Sequence, residues 1–203
     1  MANRIFQNTR KPVGTLGRMM LKGMNTGHAP LASWGFSYLD LRPGSHILDV
    51  GCGGGANIAK MLADVPQSTA DGLDYSDESV AYSKKTNAAH LGPRCTIRQG
   101  DVACLPYPDH VLDYVTAFEI IYFWPDLDTA FAEISRALKP EGELFICCEE
   151  DDPSDTTWTD RIEGMTVYAA HDLEGRLLRQ GYQSVQIHHH AEKGWMCLTA
   201  VNP

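Results

Sequence analysis

Short apolar runs alternate with helix-spaced apolar stripes along most of this chain. Ile47-Leu48-Asp49-Val50 is rich in β-branched and aliphatic residues, as a strand buried on both faces should be. Ala56 to Ala63 reads as a helix, and Ala70 to Tyr75 as a second strand ending in an acid. Ser76 with Asp77 and Glu78 caps a helix running to about His90. Cys95 to Gln99 is a third strand, Val111 to Ile121 a fourth, and Glu143 to Cys148 a fifth. The helix Asp126 to Leu138 and a Lys139-Pro140-Glu141-Gly142 turn separate the last two. Asp172 to Gln180 then forms a helix, stopped by Gly181. Ser184 to His190 and Trp195 to Val201 are joined by four residues, which makes them an antiparallel hairpin.

The first 30 residues are less regular. Thr15 to Met24 carries helical spacing broken by glycine, so one or two short, loose helices are expected. A further helix runs from Pro30 to Leu41. The whole reads as one α/β domain over 1–203, with 1–30 an arm or lid and 31–203 the core.

Composition narrows the function classes. A formal net charge of −9 argues against a nucleic-acid partner, although Arg4, Arg10, Lys11, Arg18 and Lys22 gather near the start. No apolar run approaches the roughly 18 residues of a membrane span, and no signal-peptide core is present. The six cysteines form no CxxC pair, so a cytoplasmic protein is expected. No metal site is expected either. His188, His189 and His190 are consecutive on a strand and point to alternating faces.

Chemistry concentrates at Gly51-Cys52-Gly53-Gly54-Gly55-Ala56, between the first strand and the next helix. Glycines admit a ligand close to the backbone, and a helix N-terminus offers unpaired N–H groups. The segment satisfies the G-x-G-x-x-A pattern of dinucleotide sites, with Asp74 placed to bind a ribose. A nicotinamide-dependent oxidoreductase therefore stands as one reading. Asp49 inside the strand, Asp101 after the third strand and the closing hairpin favour another cofactor. In a doubly wound sheet, Asp49, Asp74 and Asp101 converge on one crevice.

These residues resemble the class I S-adenosylmethionine-dependent methyltransferases of the small-molecule type. Ile47 to Gly55 resembles their first motif, Gly72-Leu73-Asp74-Tyr75-Ser76 their second-strand acid, Gly100-Asp101-Val102 their adenine contact, and Leu138 to Leu144 their turn into strand five. The resemblance covers about residues 30 to 201. It implies a Rossmann-like, mostly parallel sheet of seven strands in the order 3-2-1-4-5-7-6. Strand seven is antiparallel, and helices cover both faces.

It also implies S-adenosylmethionine as cofactor and S-adenosylhomocysteine as product. Asp74 would hold the ribose hydroxyls, Tyr75 and Val102 the faces of the adenine, and Asp101 its amino group. Gly51, Cys52 and Gly53 would pass along the methionine part. Asp49 would help hold its ammonium, and the backbone of Glu119 would contact the same group.

A sulfonium already carries its leaving group, so positioning an acceptor is the main task. Tyr122 and His28 are candidates for touching the reacting centre. Phe123 and Trp124 are either core or pocket wall, and Glu149 to Asp152 either orient a cationic or hydroxylated acceptor or form a solvated loop. The expected partner is a small-molecule acceptor, and the protein a monomer or homodimer. A cradle that binds cofactor without turnover is the non-enzymatic alternative.

Overall fold

The computed structural model describes residues 9–203 and builds them around a seven-stranded sheet. Its strands are β1 (His46–Val50), β2 (Thr69–Asp74), β3 (Ile97–Gln99), β4 (Leu112–Phe118), β5 (Leu138–Cys148), β6 (Gln183–His189) and β7 (Met196–Val201). The helices are α1 (Gly14–Gly27), α2 (Ala29–Phe36), α3 (Ala56–Asp64), α4 (Asp77–Thr86), α5 (Leu127–Ala137) and α6 (Ala170–Arg179). The order is β3-β2-β1-β4-β5-β7-β6, with β1 parallel to β2 and β4. β7 runs antiparallel to both β5 and β6. Both order and strand sense agree with the resemblance.

Neighbouring strand residues feed opposite layers, which explains the unbroken apolar runs. Ile47 packs with Leu31, Ile58, Met61 and Phe145 beneath α2 and α3. Leu48, the next residue, packs with Val115, Phe131, Ile134 and Leu173 beneath α5 and α6. Local chemistry starts the helices where they are needed. The Ser76 hydroxyl accepts from the Ser79 amide at the head of α4, and the Asp126 carboxylate accepts from Asp128 and Thr129 at the head of α5.

Several boundaries differ from the sequence reading. α1 is one continuous helix, because the space beside Gly17 is filled by the Pro12 backbone, 2.8 Å from where a Cβ would sit. α2 ends at Phe36, where the Ser37 hydroxyl donates to the Trp34 carbonyl at 2.6 Å. α4 ends at Thr86 and β3 begins only at Ile97. β4 stops at Phe118, since Glu119 turns left-handed at φ 56°. Lys139 to Gly142 is drawn into β5 as a bulge, because Leu112 pairs with Leu138 while Tyr114 pairs with Glu143. The Asn202 amide holds that bulge by donating to the carbonyls of Leu138 and Lys139.

Among the described residues, no helix is long and apolar enough to cross a membrane. Arg4 and residues 1–8 of the expected arm lie outside the described residues.

Candidate functional site

The carboxyl ends of β1, β2, β4 and β5 meet along one edge, and a cavity of about 840 Å³ opens there. Its size falls within the roughly 300–1,000 Å³ common for small-molecule sites. The glycine turn after β1 forms its floor. Gly51 sits at φ 71°, and a Cβ there would lie 2.2 Å from Ile120 Cγ1, so only glycine fits. The Gly51 and Cys52 amides donate to the Leu73 carbonyl at 2.7 and 3.1 Å, which ties the turn to β2.

Three acids meet this turn in different ways. Asp49 is buried within β1 and accepts from the Thr116 hydroxyl at 2.7 Å. Burial pushes its carboxyl up to about 7, and the charge of Asp74 adds to the effect. Asp74 accepts from the Gly53 and Ser76 amides, each at 2.8 Å. Burial still raises it, against those two hydrogen bonds and a third from the Ser79 side chain. A carboxylate has about four lone-pair positions, so these contacts leave part of its capacity for a ligand. Asp101 accepts from the Ala103 amide at 2.9 Å and is exposed at the cavity rim.

The remaining residues singled out in the sequence also border the cavity. Tyr75 is 61% exposed, and the Lys11 ammonium stands 4.6 Å above its ring. Val102 is buried, and Cys52 is buried with its thiol pushed upward. Glu119 accepts from the Tyr122 hydroxyl at 3.3 Å and, over a short contact, from the Glu149 amide. Burial and the Glu149 charge push its carboxyl up to about 8.

Tyr122 is 3% exposed, and its hydroxyl also accepts from the Glu150 amide at 3.0 Å. That hydroxyl ties the segments after β4 and β5 together, and the residue also lines the cavity. His28 joins α1 to α2. It reaches Glu119 and Glu149, and one nitrogen or oxygen from each of the three lies within 4.8 Å of the others. Burial lowers its imidazole, partly offset by the Glu149 charge.

Phe123 and Trp124 prove to be both core and cavity wall. The histidine run does diverge: His188 stacks on Tyr38 at 4.2 Å, His189 pairs with Asp151 at 2.7 Å, and His190 packs on Trp195. Four contributors were missed in the sequence. The Asn25 amide donates to the Gly54 carbonyl at 3.3 Å, and Trp158, Ile162 and Met165 close the far wall. Asn25 lies in what reads as a polar turn, and no sequence signal joins it to a glycine 29 residues away.

Residues 47–142 match the methyltransferase domain family. The demethylmenaquinone methyltransferase of Bacillus cytotoxicus is 34% identical over 117 residues, covering 57% of this chain and 49% of that protein. The sterol 24-C-methyltransferase of Schizosaccharomyces pombe is 33% identical over 112 residues, covering 53% and 29%. The matched stretch thus spans about half or less of these relatives' length. A chain in the complex of the Haloferax volcanii Trm112 methyltransferase activator with a methyltransferase superposes at a TM-score of 0.82. It is 20% identical, covers 91% of this chain and 94% of its own, and shares the fold.

Proposed function

We propose, for a chain that belongs to the class I S-adenosylmethionine-dependent methyltransferase family, that this cleft binds S-adenosylmethionine and passes its methyl group to a small-molecule acceptor. The observation that carries the reading is the convergence of Gly51, Asp74, Asp101 and Glu119 on one cavity, with Asp49 buried behind the glycine turn and outside the cavity lining. In this reading the free lone pairs of Asp74 take the ribose hydroxyls. Tyr75 and Val102 flank the adenine, and Asp101 receives its amino group. The backbone of Gly51, Cys52 and Gly53 runs along the methionine part. Asp49 and the carbonyl of Glu119 meet the ammonium.

Bound cofactor supplies an activated methyl group on a sulfonium. The chain's part is to hold the acceptor in line with it and keep water out. Residues 12–29 wall the cleft beside the glycine turn, and we assign them the role of lid over a single domain. The relatives act on a quinone precursor and a sterol by name, which supports a small-molecule acceptor here. Six free cysteines, five of them buried, support a reducing, cytoplasmic setting. The net charge of −9 supports an acceptor other than nucleic acid, with the protein acting as a monomer or homodimer. Titration with S-adenosylhomocysteine tests the reading, and failure to bind refutes it.

A further inference from the structure

The acceptor end of the cleft is acidic and aromatic at once. His28 arrives from the α1–α2 junction, Glu119 from behind β4 and Glu149 from behind β5, and the three meet within 4.8 Å. Glu150 borders the same space. Tyr122 touches Glu119 through its hydroxyl, and its ring lies 6.3 Å from that of Phe123. Trp124 and Trp158 complete the wall.

Each class of acceptor meets this lining differently. An anion is repelled by the carboxylates. A neutral alcohol, or an apolar carbon centre, leaves the Glu149 charge without a partner and Glu119 holding its proton, whereas a cation offsets the burial and the Glu149 charge that raise Glu119 to about 8 and lets it ionise. A cation bearing N–H groups satisfies both parts. Carboxylates accept its hydrogen bonds, and aromatic faces attract its charge.

We propose that the acceptor is a protonated amine, bound by Glu119 and Glu149, and that His28 takes its proton before methyl transfer. This rests on the cofactor reading above. Burial keeps the His28 imidazole neutral, with a free lone pair, and the neighbouring Glu149 charge favours the imidazolium once the proton arrives. The proton passes from the ammonium to an imidazole nitrogen, which frees the nitrogen lone pair. That pair forms the new N–CH3 bond as the C–S bond breaks, and the bonding electrons go to sulfur. A neutral amine and a sulfonium thus become a methylated ammonium and a neutral thioether, so one positive charge is conserved. The product remains a cation beside the aromatic wall. His28 then returns its proton to solvent.

The test is methyl transfer from labelled S-adenosylmethionine to matched panels of primary and secondary amines, alcohols, phenols, thiols and carboxylic acids. S-Adenosylhomocysteine affinity is measured in parallel. Transfer to amines is expected. His28→Asn should lower kcat on the best amine about 100-fold, the scale of a lost general base. Glu149→Gln should raise KM for it about 10-fold. Both variants should bind S-adenosylhomocysteine within two-fold of wild type, which also reports that they fold. Transfer confined to oxygen, sulfur or carbon overturns the proposal, as does absence of any amine transfer by protein that binds S-adenosylhomocysteine. Amine transfer abolished by EDTA and restored by Zn²⁺ or Mn²⁺ also overturns it, making the three side chains a metal centre. Failure to bind S-adenosylhomocysteine strikes the cofactor reading itself.

Discussion

Asp74 accepts a hydrogen bond from the Gly53 amide at 2.8 Å, so the acid that ends β2 holds the turn that follows β1. One carboxylate thereby shapes the cradle and faces the ligand. Asp74→Ala should lower S-adenosylhomocysteine affinity about 100-fold, a loss of roughly 3 kcal/mol. It should also destabilise the fold by about 1–3 kcal/mol, since two backbone amides lose a charged acceptor. Calorimetric titration checks the first and urea unfolding the second. Unchanged affinity would separate Asp74 from the ligand.

Gly51→Ala combines a left-handed backbone with a Cβ 2.2 Å from Ile120 Cγ1. Gly44 shares the backbone strain, at φ 80°, but has nothing within 4 Å of its Cβ position. Gly44→Ala should therefore cost about 1 kcal/mol, and Gly51→Ala about 1–3 kcal/mol more through overpacking. Urea midpoints of the two variants make the comparison. Equal costs would contradict the close approach of Ile120.

Asp49 links stability to pH. Its carboxyl, pushed up to about 7 by burial in the folded state, lies above the 3.8 of an ordinary aspartate. Between those values the native state holds a proton that the unfolded chain has lost. Its contribution is full below about pH 4, falls as pH rises, and is gone above about 7. Wild type should lose on the order of 2–4 kcal/mol across that window relative to Asp49→Asn. Glu119, raised as well, acts the same way in both proteins and cancels in the difference. Parallel pH profiles for the two would remove Asp49 as the cause.

The lid assignment predicts slowed amide exchange in residues 14–27 once S-adenosylhomocysteine binds. α1 is anchored by Leu21, which is fully buried, and by the Arg18–Glu78 pair at 2.8 Å. An exposed pair of this kind contributes little, so opening about Leu21 is the motion to detect. Exchange that is the same with and without ligand would leave α1 as a fixed wall.

Much of this architecture was legible because each strand and helix announces its own period. Ile47 and Leu48 feed opposite core layers, so their run had to be a strand buried on both sides. The glycine turn was legible for a similar local reason, since its backbone needs conformations that side chains oppose. What sequence hid depends on distant partners. Gly17 looks like a helix break until Pro12 is seen filling its missing side chain. Tyr122 looks free to react until Glu119 and Glu150 are found around its hydroxyl. The meeting of His28 with Glu119 and Glu149 arises only from the order of strands in the sheet.

The most direct measurement is calorimetric titration of the protein with S-adenosylhomocysteine, beside an identical titration with NADH. The account predicts one-site binding of S-adenosylhomocysteine and no heat from NADH. Binding of NADH without S-adenosylhomocysteine would contradict it, and would return the glycine turn to a dinucleotide.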